Sequence, residues 1–339
     1  MVGFVVGVLV VAGCSGSGSE GPPGWVSSPP EYLSCDGFAD PQLVVDLVRA
    51  ADLVEPDPED ADAVEANSED PSVDCDPLLG GQLSVSSSPA EEVSLASGFC
   101  PPDPLMVPIR GLPGFVMHDS GWLYVPCTRG SGTVTLNSYI SADTAELRNP
   151  RARLAMARLL VDTTNRARAR FGCAESALSL PTELPEIPEF GPGSGSGQRD
   201  DGDRAVLCDP GVLSSLPNYS PGWGRPWAME TPRPSSLLST CEIRVGNQGR
   251  ARGILPGTPK VAFVTYRGVL ARARHESEKY SWPEYDISCH GEPVSYRMYV
   301  TDPDDSDSWL TELPDDPAYE RMLDNFAGKA ADRAGCPIS

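Results

Sequence analysis

The chain has 339 residues, with 48 acidic side chains against 26 basic ones and a formal net charge of −22. That balance excludes a nucleic-acid-binding body, which needs a basic footprint. It also opposes docking of the folded body on anionic lipid. The length predicts two domains with cores of real size.

Residues 1–14 open the chain with a short apolar run, Val2 to Val11, ending in Val11-Ala12-Gly13-Cys14. Ten residues fall well short of the roughly 20 that a bilayer span needs, and fit the apolar region of a secretory signal. A signal of this kind carries a positive start; Met1-Val2-Gly3-Phe4 has none, so a start upstream is expected. Residues 15–30 are a Ser/Gly/Pro tether.

The first domain is predicted over residues 31–177. Pro41 to Val48 reads as a short helix, and the chain from Arg49 to Arg110 holds no basic residue between those two. An acidic insert at 50–74 reads as solvated and without fixed structure, and Ser84 to Glu92 as a polar loop. Strand-like runs follow at 105–109, 115–117, 122–125 and 133–141. Pro150 to Phe171 is the best helix of this half: Met156, Leu160, Thr163, Ala167 and Phe171 recur at spacings of three and four, Pro150 suits a first turn and Gly172 a stop. Residues 178–204 are expected to be a linker, with spaced prolines and then Gly193-Ser194-Gly195-Ser196-Gly197. The second domain spans 205–339, with strands at 241–245, 261–266 and 295–301 and a last helix from Pro317 to about Ala334.

Ten cysteines without a CxxC, beside only three scattered histidines (His118, His275, His290), lack zinc-ligand spacing, so no metal or other cofactor is expected. In an oxidising compartment such cysteines form disulfides. The halves align on them: Cys127 to Cys173 and Cys289 to Cys336 differ in length by one residue, each encloses a Tyr-aliphatic-hydroxyl triplet (Tyr139-Ile140-Ser141, Tyr299-Val300-Thr301), and each ends in Gly-Cys. This predicts the bridges Cys127–Cys173 and Cys289–Cys336, with Cys208–Cys241 and Cys35–Cys75 as the second pair in each half. Four cysteines allow three connectivities. A rival alignment sets Cys75-Asp76-Pro77 against Cys208-Asp209-Pro210. The expected fold class is α+β: two similar disulfide-stapled domains, each a small, mainly antiparallel sheet with a C-terminal helix on one face.

No nucleophile elbow, HExxH pair or phosphate loop occurs; His275-Glu276-Ser277-Glu278-Lys279 lacks the second histidine, and the acidic run at 302–308 misses the calcium-loop pattern at Asp307 and Leu313. His290 adjoins Cys289, but a bridged cysteine is no nucleophile. Six arginines make the 150–171 helix basic, either toward an acidic partner or toward the molecule's own carboxylates. Trp223 and Trp227, in a Pro/Gly-rich loop, are the preferred recognition residues.

The apolar run ending in Ala12-Gly13-Cys14 resembles the lipobox of bacterial prolipoproteins. With three lysines against twenty-three arginines, a high-GC bias, and the paired-cysteine halves, the chain resembles the secreted lipoproteins of actinobacteria. The resemblance implies signal-peptidase cleavage and acylation (palmitate class) of Cys14, and a body on the extracytoplasmic face of the membrane. The function expected is a non-catalytic binding module of the cell envelope, whose partner is an envelope protein or wall polymer. The alternative is an envelope hydrolase using a carboxylate pair.

Overall fold

In the run Ser120–Arg129 every residue through Val125 is buried. Alternate positions serve different cores: Leu123, Val125 and Cys127 enter one apolar cluster, Trp122 and Tyr124 another. Successive side chains of a strand point to opposite faces, so this strand has a packed layer on each side.

The computed structural model describes residues 31–51, 65–67, 72–78, 81–89, 94–95, 106–117, 119–142, 149–185, 226–230, 238–245, 260–272, 274–275, 284–300 and 317–336. A 3-10 turn (Glu31–Ser34) and α1 (Pro41–Ala50) come first. Eight strands follow: β1 (Glu65–Asn67), β2 (Ser72–Leu78), β3 (Gly81–Pro89), β4 (Ser94–Leu95), β5 (Val107–Pro108), β6 (Gly114–Val116), β7 (Ser120–Arg129) and β8 (Gly132–Ser141). After α2 (Pro150–Phe171) come β9 (Pro226–Glu230), β10 (Leu238–Val245), β11 (Val261–Arg267), the short α3 (Val269–Arg272), β12 (Arg274–His275), β13 (Glu284–Cys289), β14 (Glu292–Val300) and α4 (Pro317–Arg333).

The fold is α+β. One sheet runs β1-β2-β3-β8-β7-β6-β5, a second β13-β14-β11-β10-β9, both antiparallel throughout, while β4 and β12 form a small parallel pair. Helix α2 covers one face of the seven-stranded sheet and α4 one face of the five-stranded sheet. The two remaining faces meet. Met106, Phe115, Met117, Trp122 and Tyr124 from the first sheet pack with Ala262, Val264, Tyr266 and Tyr299 from the second, with Leu238 and Leu270 beside them. Inside this layer the Tyr266 and Tyr299 hydroxyls share a hydrogen bond of 2.9 Å, which satisfies two phenols that would otherwise be buried at a cost. The layer order is helix, sheet, sheet, helix.

Local chemistry places the helices. The Asn149 side chain accepts from Arg151 N–H at 2.9 Å, and Pro150 opens α2 at a position where its missing N–H costs nothing. Gly121 lets the helix approach β7: a Cβ there would stand 3.3 Å from Leu160 Cδ2 and 3.5 Å from Met156 Cγ. Thr164 pins the contact, its Oγ1 donating to Ser138 Oγ over 2.8 Å in the buried interface.

Both long helices stop in the same way. Gly172 sits at φ 73° and Gly335 at φ 71°, left-handed values that suit glycine. Each is followed by a cysteine whose N–H returns to the last turn, Cys173 to Arg168 O at 2.9 Å and Cys336 to Ala331 O at 2.8 Å. The turn swings each cysteine back toward a strand. Disulfides join Cys127 to Cys173 and Cys289 to Cys336, and a third joins Cys35, after the 3-10 turn, to Cys75 in β2. They close 40 to 47 residues each, a span that contributes about 4 kcal/mol apiece by the chain-entropy argument.

Three segments differ from the sequence reading. Ser84 to Glu92, read as a loop, instead supplies most of β3, which sits inside the sheet between β2 and β8. Its serines alternate with Leu83 and Val85, both fully buried, and that alternation outweighs the polar composition. The insert read as unstructured over 50–74 contains β1 and the start of β2. The stretch read as linker from residue 178 begins instead as a strap on the first sheet's helix. Asn165 takes Leu178 in two hydrogen bonds (Nδ2 to O, 2.9 Å; N to Oδ1, 2.7 Å), and Leu178 and Leu184 pack on the core.

Candidate functional site

Helix α2 holds six arginines; Arg153 is buried, and the other five fall into two sets. One set is consumed internally. Arg166 bonds Asp162 at 2.6 Å and Asp40 at 3.1 Å. Arg170 bonds the Asp36 carboxylate at 2.9 Å and its carbonyl at 2.8 Å, while its guanidinium stacks 4.6 Å above the Phe38 ring. Arg168 is buried; it donates to Ser176 O at 2.9 Å and stands 3.6 Å from Glu175. These contacts tie the N-terminal segment and the strap to α2.

The second set, Arg151 and Arg158, is exposed on the side where α2 meets α1. There a groove of about 190 Å³ has a floor of Leu43, Ala50, Leu154 and Ala155, with the two arginines and Asp46 on its rim. Gln42 Nε2 donates to Asp46 Oδ1 at 3.0 Å and holds that carboxylate on its own helix. A space of this size is below the usual range for a small-molecule pocket, about 300 to 1,000 Å³, and suits one inserted side chain or a short acyl segment. An apolar floor with cations at the rim favours an anionic, amphipathic guest.

The turn between α2 and the strap contributes one strongly perturbed carboxyl. Glu175 is pushed down to about 2 by hydrogen bonding from Thr128, its hydroxyl first and then its backbone N–H; burial opposes this, and its own backbone N–H and Arg168 add smaller downward pulls. The Thr128 N–H meets Glu175 Oε1 at 2.9 Å and Oε2 at 3.1 Å. A general acid needs the opposite displacement, so Glu175 does not fit the acid role of a carboxylate pair.

Of the cysteines named from the sequence, Cys35, Cys75, Cys127, Cys173, Cys289 and Cys336 are brought together in three bridges. Cys241, in β10, is disulfide-bonded as well. Cys208, Cys14 and Cys100 lie outside the described residues, as does Trp223. Trp227 lies on β9, the end strand of its sheet, in register with Arg244 of β10. The acidic run at 302–308 lies outside the described residues, and His275 pairs in β12 with Leu95 of β4.

One grouping was missed at the level of sequence. Ligand atoms of Cys289, His290 and Cys336 all lie within 4.8 Å of one another. Forty-five residues separate His290 from Cys336 along the chain, so no local motif announces them. The signal lies in the Cys-His-Gly turn combined with the Gly-Cys helix stop. His290 and Gly291 occupy the two central positions of the β13–β14 hairpin with φ of 52° and 85°, the pattern of a type I′ turn. Comparison with protein-family models, with curated proteins and with solved structures returns no match.

Proposed function

We propose that this chain is an envelope lipoprotein, anchored through an acylated Cys14 on the extracytoplasmic face of the membrane, whose folded body is a non-catalytic binding module. The observation that carries the reading is the oxidation state of the body: all seven described cysteines are in disulfides, a usage typical of exported proteins and rare in a reducing cytosol. The lipobox-like Ala12-Gly13-Cys14 and the tether at 15–30 supply the address. No described helix is long and apolar enough to cross a membrane, so in this reading attachment falls to the lipid. The groove between α1 and α2 is the contact surface, its partner an anionic amphipathic segment of an envelope protein or polymer.

The two halves are copies of one unit in this reading. The strand order β1-β2-β3-β8-β7 runs parallel in sequence logic to β9-β10-β11-β14-β13. In each, a hairpin leads to a long helix that returns through Gly-Cys to the hairpin's first strand.

The test is lipid labelling of the chain, expressed with a Lys/Arg-bearing start ahead of Met1, beside Cys14→Ser. Label on the parent that disappears in the variant, together with protease access to the body in intact cells, is the expected result. An unlabelled protein that fractionates with the cytosol and titrates with free thiols overturns the reading.

A further inference from the structure

We propose that Cys289, Cys336 and His290 form a zinc site that is closed by the disulfide and opened by its reduction. The group is built by two separate devices. The type I′ turn after β13 fixes His290 at φ 52° directly beside Cys289, and the left-handed Gly335 stop of α4 delivers Cys336 to the same point. His290 Nε2 lies over Gly335, 3.9 Å from where a Cβ would stand on that residue. The ring is thus in van der Waals range of the helix stop that carries Cys336.

The donor set suits a thiophilic ion. Two thiolates and one imidazole are a zinc complement that leaves a fourth position to water. Tetrahedral zinc with bonds of about 2.3 Å to sulfur sets its two sulfurs roughly 3.8 Å apart. The disulfide itself holds the two sulfurs together, and the His290 donor lies within 4.8 Å of both, so after reduction the sulfurs reach that spacing by a side-chain turn at each cysteine. The ion would sit past the C-terminal end of α4, the helix end that favours positive charge. Both cysteines are nearly buried and His290 is exposed, which gives a dry thiolate pair with one open side.

The redox step balances with a dithiol as reductant. The dithiol gives two electrons to the Cys289–Cys336 bond and closes to its own disulfide, and its two protons pass to the cysteine sulfurs. Zinc then displaces those two protons, leaving two thiolates and a neutral imidazole around the ion. The Cys127–Cys173 bridge is an internal reference: its hairpin turn is Gly130-Ser131, with no imidazole. This inference does not depend on the lipid anchor.

The experiment uses the full chain, reduced with a phosphine in the absence of oxygen, dialysed against Zn(II) and measured for bound metal, beside His290→Ala treated alike. The expected result is one zinc equivalent that the oxidised chain lacks and that binds on the order of a hundredfold more weakly in the variant. Co(II) in place of zinc should show tetrahedral, thiolate-ligated absorption in the parent only. Equal zinc affinity in parent and variant overturns the proposal, because the imidazole is then not a ligand. So does a reduced chain that takes up no zinc, and so does one whose circular dichroism shows loss of fold that zinc does not restore.

Discussion

At the scale of single residues, Glu175 couples the strap to the end of β7, and its titration predicts an acid-sensitive contribution to stability. Its folded value of about 2 lies below the ordinary 4.5. A depressed carboxyl stabilises the fold fully above the higher value, and that stabilisation is lost as pH falls toward the lower one. Glu175→Gln should therefore be less stable than the parent at pH 7, with the gap closing between about pH 4.5 and 2. Urea midpoints of the two proteins across that range check it; a gap independent of pH would show that the carboxylate charge contributes nothing. Single residues also mark what the sequence could and could not tell. Gly172-Cys173 and Gly335-Cys336 were legible as helix stops, because glycine's left-handed freedom is a local property. The placement of His290 beside Cys336 was not, because it depends on where α4 ends relative to a hairpin far from it in sequence.

At the scale of elements, the long helices were the most legible parts. Helix α2 runs Pro150–Phe171, the span its apolar spacing indicated, and α4 runs Pro317–Arg333. Periodicity near 3.6 over four turns or more is a strong signal. Strand β3 was hidden because, among its described side chains, Leu83 and Val85 alone are buried, and the serines around them resemble a loop in composition. The β6–β7 pair shows how narrow the tolerances are. A Cβ on Gly114 would lie 2.5 Å from the Trp122 carbonyl oxygen and 2.8 Å from Leu123 Cδ1. The first of these is backbone and cannot swing away. Gly114→Ala should push β6 off β7 and lower stability by about 1 to 3 kcal/mol, in the range of overpacked cores. Thermal unfolding measures the loss, and an unchanged midpoint would mean that the strand pair slides without cost.

At the scale of the whole molecule, the layer between the sheets decides how the halves behave. The run Trp122-Leu123-Tyr124-Val125 is apolar at both parities, which is the sequence mark of a strand covered on both faces, but nothing in one half names what covers it. None of the three bridges with both cysteines described joins the halves; their shared aromatic layer and the short β4–β12 pair do. A site-specific protease sequence placed within 193–197 should therefore, after cleavage, leave two fragments that elute together under native conditions. Trp122→Ala should release them, since removing a buried tryptophan costs about 3 to 5 kcal/mol and this one is 2% exposed in the layer itself. Fragments that separate without the substitution would show that the chain crossing between them, rather than the layer, holds the halves together.

That shared layer also imposes a schedule. Trp122 and Tyr124 are made long before their partners Tyr266 and Tyr299. The interval is on the order of 150 residues, which at the usual pace of synthesis is roughly ten to thirty seconds. For that time the first sheet has its helix but an open aromatic face. A ribosome, a translocation channel or a holding chaperone must shelter it, and anything that slows delivery of the second half lengthens the window in which two nascent copies can find each other instead.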